Sequence, residues 1–151
     1  MKDHTIKIYI ALLLSCAFVA FARADDTAQV SGVIDGKQLQ ISPEVRQKLI
    51  TESVSLLASC SYSSLHDSST NKLHFEDAAK QSHLTITFSK PQIVEVQLEK
   101  MKVEVKEMLI TLPLSSSDIW VRSDASTSYF AMFTPETFFR LEATLKEVQK
   151  P

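Results

Sequence analysis

The spacing of apolar residues changes period several times along this chain, and each change marks an element. Val45, Leu49, Ile50, Val54 and Leu57 recur at helical spacing. That spacing lines one face of a helix, predicted over about 43–59. Its start has a chemical signature. Ser42 supplies a hydroxyl for free backbone N–H groups, Pro43 fits the first helical turn, and Glu44 places negative charge at the positive end of the helix dipole. Thr134-Pro135-Glu136 repeats this signature, and Phe138, Leu141, Leu145 and Val148 follow as one stripe. A C-terminal helix is therefore predicted over about 135–149.

Between the helices the period falls to two. Leu84, Ile86 and Phe88 alternate with polar residues until Lys90-Pro91, which reads as a break. Val94, Val96 and Leu98 then alternate with Glu95 and Gln97, and Met101, Val103 and Val105 with Lys102, Glu104 and Lys106. With Glu99-Lys100 between them, these runs predict an antiparallel hairpin, one face buried and the other wet. Glu107 to Leu112 extends this as another strand, ended by Pro113, and Ile119 to Val121 and Tyr129 to Phe133 give two shorter strands. Upstream, Asp35-Gly36 marks a turn between a strand at Gln29 to Val33 and the alternating Leu39-Gln40-Ile41. Residues 59–71, rich in Ser, Thr, Asp and Asn, read as a loop, with a short strand at Leu73 to Phe75. The expected fold is α+β: an antiparallel sheet of four to six strands with both helices on one face.

The first 24 residues follow a different logic. Lys2 and Lys7 precede an uncharged run from Ile8 to Phe21, and Ala22-Arg23-Ala24 places small residues where a signal peptidase requires them, directly before Asp25. This pattern reads as a secretory signal peptide, giving a leader over 1–24 and a single exported domain over 25–151. The apolar run is shorter than the roughly 20 residues that span a bilayer. Leu13-Leu14-Ser15-Cys16 gives an alternative, because it loosely resembles a bacterial lipobox with Cys16 as the lipidated residue. The expected location is the periplasm if the source is bacterial, and the extracellular space otherwise.

Cleavage before Asp25 alters composition in two useful ways. It leaves 13 Lys and Arg against 17 Asp and Glu, an acidic balance that does not match the phosphates of nucleic acid. It also removes Cys16, so Cys60 is left without an intramolecular disulfide partner and the fold relies on its core. Glycine is equally informative. Only Gly32 and Gly36 occur, so phosphate loops, dinucleotide turns and the nucleophile elbow of serine hydrolases have no glycine to build on.

Candidate chemistry is correspondingly sparse. Cys60 with His66, His74 or His83 and a carboxylate such as Asp67, Glu76 or Asp77 supplies the residue types for a thiol nucleophile, without a recognised spacing. The plainer reading is a small buried hydrophobe. His66, His74 and His83 with Glu76 or Asp77 match no standard metal-ligand spacing, and no motif implies a cofactor. Trp120 and Arg122 flank Val121, so a strand there turns both to one sheet face, either as a recognition spot or as a core edge with Arg122 reaching water. The aromatic group Phe130, Phe133, Phe138 and Phe139 sits at strand and helix spacing and reads as core. The sequence thus names no catalytic, cofactor or metal residue. It points to a small binding or accessory protein that contacts another extracytoplasmic protein, with a thiol enzyme at Cys60 or a lipid-anchored envelope component at Cys16 as alternatives.

Overall fold

The computed structural model describes residues 28–64, 68–98, 100–116, 118–131 and 133–149. The expected leader, with Cys16, Ala22 and Ala24, lies outside these residues, as do Asp25, His66 and Asp67. The elements in order are β1 (Gln29–Ile34), β2 (Lys37–Gln38), α1 (Pro43–Ala58), β3 (Tyr62–Ser64), α2 (Ser68–Ala78), β4 (His83–Val96), β5 (Met101–Thr111), β6 (Ile119–Arg122), β7 (Thr127–Ala131) and α3 (Pro135–Val148). The strands form one antiparallel sheet in the order β2, β1, β4, β5, β6, β7, β3. The fold is α+β, with α1 and α3 near the two ends of the chain.

The turn between β1 and β2 follows from Asp35-Gly36. Both residues adopt positive φ, 50° and 75°, the geometry of a two-residue hairpin turn. Gly32 answers a different need. A Cβ there would lie 2.8 Å from Leu39 Cδ1 and 3.0 Å from the His83 carbonyl, so glycine leaves room for Leu39 to fold back over the strand without displacing either.

The two similar helix starts behave differently. Ser42 Oγ accepts the Val45 N–H at 3.3 Å and caps α1. The Thr134 hydroxyl makes no such bond; it lies 3.0 Å from Thr137 Oγ1. Ser59, just past the end of α1, joins the helices instead: its hydroxyl donates to the Leu56 carbonyl and accepts the Thr134 N–H at 3.3 Å. Lys48 also bridges to Glu147 at 3.0 Å, so α1 and α3 run antiparallel to one another.

The main core lies between this helix pair and one sheet face. Leu49, Ile50, Leu56 and Leu57 of α1 and Leu141 and Leu145 of α3 meet Leu84, Ile86, Val94, Val96, Val103, Val105, Met108, Ile110, Ile119, Val121 and Phe130. Cys60 belongs to the same core.

Four elements depart from the sequence expectation. Lys90-Pro91 does not end a strand, since β4 runs through it to Val96. The irregularity is a bulge: β4 advances from Thr87 to Gln92 while β5 moves only from Glu107 to Val105. Proline is tolerated because a bulged residue owes no ladder hydrogen bond. The bulge also absorbs a change of parity in β5, where Val103 and Val105 share the core with Met108 and Ile110. The segment 68–78 is a helix, not a loop followed by a strand at Leu73 to Phe75. Its sequence carries few apolar residues, and packing on the sheet supplies what local preference lacks. Finally, β3 lies within the serine-rich stretch, fixed by pairing Tyr62 with Ala131, and β7 begins at Thr127, two residues ahead of the expected Tyr129. The expected antiparallel α+β sheet is thus present, with the short strands β2 and β3 at its two edges, β2 forming at Lys37–Gln38 just ahead of Leu39-Gln40-Ile41.

Candidate interaction surface

The second face of the sheet is half covered. The pairings Gln29 with Thr87, Thr87 with Glu107, Glu107 with Arg122 and Arg122 with Thr127 place these side chains in one row across it. Ser31, Thr85, Leu109, Trp120 and Tyr129 form the next row. Helix α2 lies over the β5 to β7 side of these rows, where Phe75 and Ala78 pack with Leu109, Trp120 and Tyr129 in a second, smaller core.

Polar and aromatic contacts fix α2 in place. The Asn71 amide donates to the Thr127 carbonyl at 2.9 Å, and both groups are shielded from water. The His74 imidazole stacks on the Trp120 indole, with centroids 5.8 Å apart and planes within 4° of parallel. Trp120 in turn tilts against Tyr129 at 4.9 Å, and the Tyr129 hydroxyl donates to Asp118 Oδ1 at 2.9 Å. The Arg122 guanidinium lies 4.0 Å above the centre of the Phe75 ring and bridges to Glu107 at 3.2 Å. At the end of α2, the Lys80 ammonium 2.7 Å from Asp77 holds that carboxyl below its ordinary range by hydrogen bond and charge.

Trp120 and Arg122 do share a sheet face, as their spacing requires. Their role there is to receive α2. Trp120 is 8 % exposed, and the ring that Arg122 covers is Phe75. The sequence alone does not reveal this, because the element that occupies both residues reads as a loop.

The β1 and β4 side of the face has no such cover among the described residues. Gln29, Ser31 and Thr87 are exposed, with Thr85 and His83 partly so. Beyond the reach of β1, the far halves of β4 and β5 carry Ile93 opposite Glu104 and Glu95 opposite Lys102 on the same outer face, all exposed. Their neighbours Val94, Val96, Val103 and Val105 are buried on the core side, which fixes this orientation. Ile93 is 59 % exposed and gives this polar face an apolar centre.

The thiol candidate occupies a different environment. Cys60 has no exposed surface, its Sγ donates to the Leu56 carbonyl at 3.5 Å, and burial pushes the thiol up to about 12. His74 and His83 lie across the sheet, His74 on Trp120 and His83 with Nδ1 2.7 Å from the Gln81 carbonyl. Neither can take a proton from a thiol on the core side. Among the described residues no three His, Cys, Asp or Glu side chains stand close enough to hold a metal ion.

A concavity of about 380 Å³ opens between the β1–β2 turn, Pro113 and the end of α3, lined in part by Ile34, Leu112, Leu114 and Leu145. Part of its polar rim is satisfied internally. Ser82 Oγ accepts the Asp35 N–H at 3.0 Å, and Lys146 bridges to Glu142 at 3.1 Å.

No protein family model, curated protein or solved structure matches this chain.

Proposed function

We propose that this protein is a small exported binding or accessory protein that contacts another extracytoplasmic protein through the uncovered part of its outer sheet face. The observation that carries this reading is the asymmetry of that face. Where α2 lies, Phe75, Leu109 and Trp120 are buried beneath it. Away from α2, the hydroxyls of Ser31 and Thr87 and the charges of Glu95, Lys102 and Glu104 share the face with the exposed Ile93. An apolar residue among exposed polar ones is the usual anatomy of a protein contact.

Among the described residues, Cys60 does not favour the enzyme alternative. A thiol raised to about 12 carries almost no thiolate near neutral pH, and nucleophilic chemistry needs the thiolate. The export half of the proposal rests on the leader pattern, Ala22 and Ala24 before Asp25. The mass of the protein recovered from its native compartment tests that half. A chain beginning at Asp25 supports a free exported domain, whereas a lipidated Cys16 replaces it with a membrane-attached one. Stoichiometric recovery of one partner from that compartment, lost on Ile93→Arg, tests the binding half.

A further inference from the structure

The edge of β5 offers a second surface, beside the sheet face. On one side β5 pairs with β4 along its length, but on the other side β6 pairs only from Glu107 onward. Among the described residues no strand pairs with Lys102 to Lys106 on that side. An open strand edge presents unpaired backbone donors and acceptors to any extended chain that can approach it.

The side chains along this edge restrict the choice of chain. Lys102 and Glu104, both exposed, stand on the outer face, while Val103 and Val105 face the core. An added antiparallel strand must place negative charge opposite Lys102 and positive charge opposite Glu104, with apolar residues between. The same stretch of a second molecule meets these demands. When Val103 lies opposite Val103 of the second copy, Lys102 faces Glu104, Glu104 faces Lys102, and Met101 faces Val105. The open stretch from Lys102 to Lys106 is centred on Glu104, but pairing about Glu104 would set Glu104 against Glu104 and Lys102 against Lys106, whereas pairing about Val103 sets opposite charges together. Shifting the register by two residues, to centre on Val105, would bring Glu107 into the new strand pair, where β6 already stands. At the rim Lys100 faces Lys106, whose charge is offset by Asp124 at 2.5 Å within its own chain.

We infer that this protein forms a two-fold dimer by antiparallel pairing of β5 edges centred on Val103, joining two sheets into one. The inference uses the backbone of the strand edge, and Lys102 and Glu104 also belong to the outer face of the partner-binding reading, so association of the purified protein alone tests the dimer apart from any partner. A two-fold axis at Val103 makes the contact isologous and closed, so it stops at two copies. It also sets two outer faces side by side in the same orientation. The contact is small, so the dimer is weak and forms at high concentration.

Charge reversal tests the register. Sedimentation equilibrium of the purified protein, over roughly 10 µM to 1 mM, is expected to show a monomer–dimer equilibrium. Lys102→Glu and Glu104→Lys each place like charges opposite one another twice per dimer, and each should weaken association about tenfold. The double variant restores opposite charges and should dimerise as the original does. It should not mix with the original protein, because Lys would then face Lys and Glu would face Glu. Both positions are exposed, and unchanged circular dichroism and thermal midpoint verify that each variant is folded. A strictly monomeric original protein overturns the inference. So does a dimer indifferent to the single reversals, or one that the double variant does not restore.

Discussion

The His74 imidazole lies parallel to the Trp120 indole at 5.8 Å, and this contact ties α2 to the sheet. Trp120 is also the only tryptophan in the chain, so it reports on α2 directly. His74→Ala should shift Trp120 emission to the red and lower stability by about 0.5–1 kcal/mol, the scale of one aromatic contact. Phe75→Ala should do more, about 3 kcal/mol, because it empties the centre of the smaller core and removes the ring beneath Arg122. Fluorescence and urea titration measure both. Emission unchanged in both variants would mean that α2 does not shield the indole.

Burial of Cys60 gives a dependence on pH with a definite sign. The folded thiol ionises at about 12 against an ordinary 9.0, so the folded state holds its proton more tightly. That stabilisation is complete below pH 9 and is lost as pH rises from 9 toward 12, by up to about 1.4 kcal/mol per pH unit. Stability curves of the original protein and Cys60→Ala should therefore converge as pH rises through that window. Thiol reagents at pH 8 should label the unfolded chain and leave the native one untouched. Prompt labelling of the native protein would restore the nucleophile reading.

Ser53 of α1 is fully buried, and its hydroxyl has no hydrogen-bond partner among the described residues. A buried hydroxyl left unpaired costs more than the methyl group that would take its place. Ser53→Ala should thus raise stability by about 1 kcal/mol, measured by chemical denaturation. A loss of stability would show that this hydroxyl is satisfied in solution.

The elements that were legible in the sequence carry their own chemistry. α1 and α3 announce themselves through Ser42-Pro43 and Thr134-Pro135 and through apolar residues at helical spacing. The β1–β2 turn follows from Asp35-Gly36, and the wet hairpin from strict alternation between Val94 and Val105. The illegible elements depend on distant residues. β3 exists because Ala131 and Tyr129 offer it an edge, and α2 because Trp120, Leu109 and Tyr129 offer Phe75 a surface. Lys90-Pro91 looked like a terminator because the sequence does not show that β5 changes parity beside it and that a bulge must form. The same dependence hid the role of Trp120 and Arg122. Their shared face could be read from their spacing, but their occupant could not.

The outer sheet face is the centre of the functional account, and Ile93 is its most informative residue. A photo-crosslinking side chain placed at Ile93, in protein expressed in its native compartment, tests it most directly, with Arg46 on the exposed side of α1 as the control position. The account predicts one discrete crosslinked species from Ile93, containing a different protein, and none from Arg46. No crosslink from Ile93, or the same species from both positions, would contradict it.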